Sequence, residues 1–153
     1  MRRSDKEITD KSILESIINS AQVCRIGLVD NDFPYVIPMS FGYKDDCLYL
    51  HSALEGKKID LIQQNNNVCF EIDIDYEMVT ADVPCRFTAK YRSVIGFGRA
   101  YFLETVVEKV DAFTVMVEHY GGKVSSAFAL DGLQKVAVIK VEIDSMTGKQ
   151  SGY

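Results

Sequence analysis

Two adjacent lysines at the start of a predicted helix could do chemistry. Residues 34–58 read as strand, tight turn, strand, polar loop, and then a helix that begins at Lys57 and Lys58. Cations at a helix N-terminus oppose the helix dipole, at about 0.3–1 kcal/mol each. A bound anion would explain this placement, because a helix N-terminus with a hydroxyl and a lysine forms a phosphate site. Ser52 and Gly56 complete the pattern, and the alternative is a solvated lysine pair on a surface helix.

The two histidines are the other candidate groups. Side chains alternate along a strand, so His51 shares a face with Tyr49, while Leu48 and Leu50 take the other face. If the leucines face the core, the imidazole points outward. Because the ordinary pKa of histidine lies near physiological pH, His51 is the candidate catalytic residue, as a proton donor or a substrate contact, and a histidine that only hydrogen-bonds a bound group is the alternative. His119 ends a predicted helix, where a structural role is expected.

Other catalytic and metal-binding motifs are missing from the sequence. Gly96 and Gly98 resemble part of a dinucleotide fingerprint, but Tyr101 replaces the third glycine and the motif lies within a predicted strand. The four cysteines form no C-x-x-C pair, and three fall inside predicted strands, which favours buried free thiols over a zinc site. With only two histidines, we expect no multi-histidine metal site.

Composition restricts the class of protein. The chain has 153 residues, which is enough for one domain, and it is 47% hydrophobic and 25% charged, as soluble globular proteins are. A net charge of -5 argues against a nucleic-acid surface. The sequence has no apolar run of membrane-spanning length and no signal-peptide core. We therefore expect a cytoplasmic protein without nucleic-acid or membrane partners.

The hydrophobic pattern predicts a mainly β fold, a small closed barrel of six mostly antiparallel strands with helices packed outside. The predicted strands cover residues 22–30, 35–43, 47–52, 68–74, 87–104 and 136–143. Asp10 caps the first helix, and a Thr105-x-x-Glu108 capping box begins the third. The apolar stripe of that third helix is predicted to contain Val106, Val110, Phe113, Val117 and Tyr120. Residues 75–85 are predicted to be a loop or irregular edge, and Gly96 with Gly98 predicts a bulge.

Five motifs in order resemble the pyridoxamine 5′-phosphate oxidase-like flavoproteins. They are P-Y-V-I-P-M at 34–39, H-S-A-x-E-G-K-K at 51–58, N-x-V-x-F-E at 66–71, Y-x-S-V-I-G-x-G at 91–98 and T-G-K at 147–149. Within this family the chain is most similar to the nitroimidazole-resistance group. The resemblance extends over nearly the whole chain.

The resemblance implies a six-stranded split barrel that forms a homodimer, with FMN in a cleft at the interface. FAD, deazaflavin and haem are the alternative cofactors. By that match, the cofactor-binding residues would be Val36, Ile37, Pro38, Met39, His51, Ser52, Lys57, Lys58, Tyr91, Arg92 and Ser93. Lys58 aligns better than Lys57 with the family's phosphate-binding lysine, and the last three residues can be supplied by either subunit. The apolar strand 91–103 also favours a dimer, since it has more hydrophobic surface than one face of a small barrel requires.

The implied function is an FMN-dependent oxidoreductase that reduces a small nitro-aromatic or related compound with electrons from a reduced nicotinamide or another donor. The chain lacks the basic substrate-recognition residues and the C-terminal Arg-x-x-Pro segment of true pyridoxamine phosphate oxidases, so vitamin B6 oxidation is not expected. One alternative is a flavin or haem carrier without turnover. Another is a dimeric barrel without a cofactor.

Overall fold

The computed structural model describes residues 3–124 and 130–153. The strands are β1 Glu7–Ile8, β2 Cys24–Asp30, β3 Phe33–Met39, β4 Phe41–Lys44, β5 Cys47–Ala53, β6 Asn67–Val79, β7 Thr88–Phe102 and β8 Val136–Ser151. The helices are α1 Lys11–Ser20, α2 Lys57–Gln64, α3 Val106–His119 and the single turn α4 Leu130–Leu133. Short 3-10 turns cover Ser4–Lys6 and Pro84–Arg86. The predicted mainly β class is confirmed.

The strands form one antiparallel sheet in the order β3-β2-β6-β7-β8-β5-β4, and β1 pairs with β8. In the described part of the chain, β3 and β4 are the two ends of this path, so the sheet is open between them and the predicted closed barrel is wrong. The described residues form eight strands, whereas the sequence predicted six. The predicted strand 35–43 breaks at Ser40, because the backbone N–H of Phe41 donates to the Tyr120 hydroxyl at 3.0 Å and not to another strand. The short strand β1, which pairs with β8, is the second strand that the sequence did not predict.

Strands β6 and β8 extend further than their apolar patterns. β6 continues to Val79 through the predicted loop, with a register shift between Ile74 and Glu77, and β8 continues to Ser151 through a polar tail. Both extensions pair with β7, which satisfies their backbone hydrogen bonds although many of their side chains are polar. The predicted bulge in β7 is confirmed by a register shift at Gly98, where a Cβ atom would collide with the carbonyl oxygen of Glu142.

The core is built from alternate residues on the inward face of the sheet. Its fully buried members include Cys24, Ile26, Leu28, Leu48, Leu50, Phe70, Ile72, Val94, Ile139 and Val141. Helix α1 covers them with Leu14, Ile17 and Ile18, while Ile13 is 44% exposed. Each fully buried aliphatic side chain contributes about 1.5–3 kcal/mol. This packing makes the sheet a rigid platform for the residues at its edges.

Helix α3 packs against the outer side of β4 and β5. Thr105 and Glu108 form the predicted capping box, with the Glu108 N–H donating to Thr105 Oγ1 at 3.3 Å. The buried residues of α3 are Ala112 and Met116, so the buried face differs from the predicted stripe. Phe113 of that stripe is half-buried and packs against the cluster that contains Ala112 and Met116, whereas Val106 and Tyr120 are exposed. No helix in residues 3–124 or 130–153 is long and apolar enough to cross a membrane.

Candidate functional site

The start of α2 presents backbone hydrogen-bond donors that have no acceptor among the described residues. Gly56 precedes the helix with φ 127°, a conformation that favours glycine, and no side chain caps this end. The first helical bond is donated by Ile59 to the Gly56 carbonyl, so the N–H groups of Lys57 and Lys58 come before it. A helix end of this kind attracts an anion.

Lys58 and Ser52 add two further donors near this end. The Lys58 ammonium is half-buried and lies 3.4 Å from Met39 Sδ, a weak acceptor, and it forms no ion pair with any residue in the described ranges. Ser52 is buried on β5, and its hydroxyl makes no hydrogen bond to another described residue. Both groups are hydrogen-bond donors, and an anion offers acceptor atoms to such donors.

Lys57 is already paired, although it is adjacent to Lys58. Its Nζ lies 2.6 Å from Asp30 Oδ2 at the end of β2, and 4.9 Å from the centroid of the Tyr35 ring. The hydrogen bond to Asp30 raises the pKa of Lys57. Its charge therefore has an acidic partner, whereas the charge of Lys58 has none among the residues that the structure describes.

Strand β3 divides its four predicted cofactor residues between two faces. Ile37 and Met39 point towards the core, whereas Val36, which is 60% exposed, and Pro38 point outward. β3 ends the path of hydrogen-bonded strands in the described structure, which is where proline is tolerated in a sheet. Its outer edge therefore offers backbone groups to a ligand.

His51 points outward from β5, as the alternation of side chains predicts. Leu48 and Leu50 are buried on the inward face, and His51 is exposed on the other. The centroid of its ring lies 5.6 Å from that of Phe113 on α3, with the ring planes at 33°. Ser52 follows immediately and points inward. The structure therefore places the His51 and Ser52 side chains on opposite faces of β5.

A pocket of about 400 Å³ lies between β4, β5 and α3, and we call it the α3 pocket. Its walls include Ser40, Phe41, His51, Phe113, Met116 and Tyr120. The sequence predicted His51, but it missed the contributions of α3, because Phe113 and Tyr120 were assigned to core packing. The signal was present in the predicted stripe, since Phe113, Val117 and Tyr120 of that stripe line the pocket together with Met116.

The C-terminal end of α3 is fixed by contacts with distant parts of the chain. The Tyr120 hydroxyl donates to the Gln22 carbonyl at 2.8 Å and accepts from the Phe41 N–H. His119 Nε2 lies 2.8 Å from the Ala21 carbonyl oxygen, and its ring centroid is 4.4 Å from that of Phe41. These contacts agree with a structural role for His119. They also hold one wall of the α3 pocket in place.

Tyr91, Arg92 and Ser93 lie elsewhere in the single chain. Strands β2 and β6 separate them from β3, and the side chain of Arg92 is 3.1 Å from Asp75 Oδ2. Its guanidinium also lies 4.5 Å from the centroid of the Tyr153 ring. One chain therefore does not bring these three residues to Lys58 or His51, and their contact with a cofactor stays a prediction that requires the second subunit.

The outward face of β2, β3 and β7 carries an apolar sheet patch. Its members are Val29, Val36, Ile95 and Phe97, which are 46%, 60%, 44% and 57% exposed. The strand register aligns Val36, Gly27, Cys69 and Phe97 in one row across four strands. A groove of about 560 Å³ runs along this face. An apolar patch of several neighbouring strands is typical of an interaction surface.

The cysteines show no metal-binding arrangement. All four are free, with Cys24 and Cys47 buried and Cys85 exposed, and burial raises the pKa of the Cys24 thiol to about 12. Among the residues that the structure describes, no cluster of three or more histidine, cysteine or acidic side chains could hold a metal ion.

Comparison with known proteins identifies close structural similarity. The family model described as pyridoxamine 5′-phosphate oxidase matches residues 10–150. A candidate 5-nitroimidazole antibiotic resistance protein from Bacteroides thetaiotaomicron is 39% identical in sequence, with a TM-score of 0.84, over 94% of this chain and 86% of that chain. A search of curated protein sequences found no match.

More distant structures share the fold. The flavocytochrome Anf3 from Azotobacter vinelandii is 19% identical, with a TM-score of 0.82, over 100% of this chain and 72% of that one. A FAD and heme binding protein from Mycobacterium smegmatis is 16% identical, with a TM-score of 0.79, over 97% and 74% of the two chains. The family match and the 39% identical structure together identify the chain, which belongs to the pyridoxamine 5′-phosphate oxidase-like split-barrel family and resembles its nitroimidazole-resistance group.

Proposed function

We propose that this protein binds FMN and reduces a small nitro-aromatic or related compound. The observation that carries the proposal is the unpaired Lys58 ammonium beside the uncapped start of α2, in a chain of this family. The 39% identical relative is named for 5-nitroimidazole resistance, which supports the class of substrate. The structures named as flavin-binding proteins support a flavin cofactor for the fold.

The donor set fits the phosphate of FMN. Ammonium, hydroxyl and helix N–H groups are all donors, and a phosphate supplies only acceptor oxygens. In our proposal Lys58, Ser52 and the first turn of α2 bind the phosphate, and Val36, Ile37, Pro38 and Met39 lie along the ring. The flavin supplies the two-electron chemistry, while the protein binds and orients the reactants.

His51 would supply a proton to the substrate. Reduction of a nitro group to a nitroso group consumes a hydride equivalent and a proton, breaks one N–O bond and releases water. A reduced nicotinamide is the source of the electrons in this scheme. His51 is exposed, lines the α3 pocket and carries a titratable ring nitrogen, which are the features that a proton donor needs.

A homodimer would complete the cofactor site. The apolar sheet patch includes Val36, one of the proposed cofactor residues, and Phe97 on β7. A stable interface buries about 800 Å² per partner, and a patch that extends over four neighbouring strands favours a second copy as the occupant. The partner would then bring Tyr91, Arg92 and Ser93, which are remote from Lys58 within one chain, to the cofactor.

The absorption spectrum of the purified protein tests the proposed function. We expect the visible band of an oxidised flavin, its loss on addition of a reduced nicotinamide without oxygen, and its return on addition of a nitro-aromatic compound. If the protein shows a flavin band, but neither a nicotinamide donor nor a chemical reductant leads to reduction of the nitro compound, the protein would instead be a carrier. A Soret band would indicate haem, and a colourless protein that takes up neither cofactor would contradict the proposal.

A further inference from the structure

We infer that the α3 pocket is the substrate site, that it selects a neutral compound with one aromatic ring, and that Phe113 is the residue that sets this specificity. This inference rests on the proposed function, because it assigns the substrate-binding surface of that reaction. It adds a binding wall from α3, which none of the motifs of the sequence contains.

The chemistry of the pocket walls selects the class of ligand. Phe113 and Tyr120 supply aromatic surface, and Met116 supplies a polarisable thioether, which packs well against rings. None of the described residues that line the pocket carries a carboxylate or an ammonium group, so the pocket offers no partner for a charged ligand. A neutral aromatic ring is therefore the ligand that the walls complement.

The polar groups in the pocket determine how such a ring would be oriented. The Tyr120 hydroxyl is already used by Gln22 and Phe41. Among the described lining residues, His51 and Ser40 remain as the hydrogen-bonding side chains. A nitro group on the ring presents acceptor oxygens, and it would therefore turn towards His51. This orientation places the reducible group beside the proposed proton donor.

The size of the pocket and the position of Phe113 explain the proposed specificity. A volume of about 400 Å³ is near the lower end of the range for small-ligand pockets. Phe41 is completely buried and packs on His119, so it cannot move aside easily. Phe113 is half-buried and lies with its ring centroid 5.6 Å from that of His51. Of the aromatic walls, Phe113 is thus the one that faces His51 and limits the space beside it.

Methyl NMR of the methionines tests the location of the site without requiring turnover. The protein, as isolated, carries ¹³C-methyl methionine and is titrated with nitrobenzene as a one-ring probe and 1-nitronaphthalene as a two-ring probe. The ring current of a bound probe should shift the Met116 methyl signal. Met78 is 52% exposed on β6, outside the pocket, and its signal should not move.

Substitution of Phe113 tests the specificity. Phe113→Ala should raise the Kd for nitrobenzene by about twofold to tenfold, which corresponds to the contribution of one aromatic pair. The variant should also bind nitrobenzene in preference to 1-nitronaphthalene by about tenfold less than wild type does, because steric limits in apolar pockets change relative affinities by about that factor. Phe113→Leu retains an apolar side chain without the ring and should weaken nitrobenzene similarly. Val107→Ala, at a 70% exposed position of α3, should change neither affinity.

The outcomes separate this inference from the proposed function. A Met116 signal that stays fixed up to probe saturation overturns the inference, even if the protein reduces nitrobenzene. Unchanged affinities for both probes in folded Phe113→Ala and Phe113→Leu variants overturn the specificity role. Failure to take up FMN contradicts the proposed function alone, since the methyl shifts report probe binding directly.

Discussion

Lys57 and Lys58 are neighbours in the sequence, but their ammonium groups meet different partners. Lys57 bonds to Asp30, whereas the Lys58 ammonium contacts the sulfur of Met39 and pairs with no carboxylate of the described residues. The helix dipole acts on both in the same way, so it does not distinguish them. The tertiary contact between Lys57 and Asp30 distinguishes the two lysines, and it leaves Lys58 as the better candidate to bind a phosphate.

Replacement of Lys58 should therefore weaken the binding of FMN. A charge-assisted hydrogen bond contributes about 1.5–3 kcal/mol, so Lys58→Ala should raise the Kd for FMN by roughly tenfold to a hundredfold. Titration of the apoprotein, followed by flavin fluorescence, measures this change. Lys57→Ala is the matched control and should have a smaller effect. Riboflavin, which lacks the phosphate, should bind equally to wild type and variant, and an equal Kd for FMN would show that Lys58 is only a surface lysine.

Replacement of His51 should separate proton transfer from cofactor binding. Because His51 and Ser52 point to opposite faces of β5, His51→Ala should leave the fold and the flavin occupancy largely intact. Turnover should fall by about 10²–10⁴-fold if His51 transfers a proton in the limiting step. Flavin occupancy and single-turnover reduction of a nitro-aromatic compound decide the matter. Loss of occupancy would indicate a cofactor contact, and an unchanged rate would remove His51 from the mechanism.

At the scale of elements, α3 depends on its N-terminal capping box. Glu108 accepts hydrogen bonds from the Thr105 N–H at 3.1 Å and from the Thr105 hydroxyl at 2.6 Å. These bonds lower the pKa of Glu108 from its ordinary value of 4.5. The far end of α3 is fixed by Tyr120, so the two ends together determine where the pocket wall lies.

The stability contribution of this capping box should depend on pH. Because the pKa of Glu108 is lower in the folded state, its carboxylate stabilises the fold fully above pH 4.5, and this contribution is lost as the pH falls below that value. Glu108→Ala should lower the Tm at neutral pH, and the difference from wild type should shrink in acid. Thermal unfolding by circular dichroism across this pH range measures both curves. A Tm difference that stays constant between neutral pH and about pH 3 would contradict the carboxylate's role.

At the scale of the whole molecule, the apolar sheet patch is the strongest reason to expect a dimer. Val36 and Phe97 are more than half exposed, although both lie in the middle of regular strands. Exposed apolar side chains on adjacent strands favour self-association, and twofold symmetry would use the same patch on both copies.

A charge in this patch should dissociate the dimer. An unpaired carboxylate buried in an apolar interface costs several kcal/mol, and symmetry introduces it twice, so Phe97→Asp should raise the dimer Kd by at least about a hundredfold. Sedimentation equilibrium gives the mass, and flavin occupancy measured in parallel should fall. Val107→Asp, on the exposed side of α3, is the matched control. A wild-type monomer that binds flavin tightly would exclude a role of the interface in the cofactor site.

Local patterns in the sequence were sufficient for most of the fold. Alternation of apolar residues gave the buried face of β2 and β5, and the Thr105–Glu108 spacing gave the start of α3. The predicted number of strands was wrong because the break at Ser40 depends on Tyr120, which is 80 residues away, and residues near Ser40 give no signal of it. The extensions of β6 and β8 were missed because pairing with β7, and not hydrophobicity, holds them.

The sequence by itself determined the family, the strand on which His51 stands and the outward direction of its side chain. Each of these follows from short-range spacing, which a single strand or motif already contains. Only the tertiary structure decided that Lys57 is paired and Lys58 is not, that α3 places Phe113 opposite His51, and that one chain separates Ser93 from β3. These facts depend on contacts between residues far apart in the chain, because folding brings together side chains whose spacing in the sequence has no fixed relation to their distance in space.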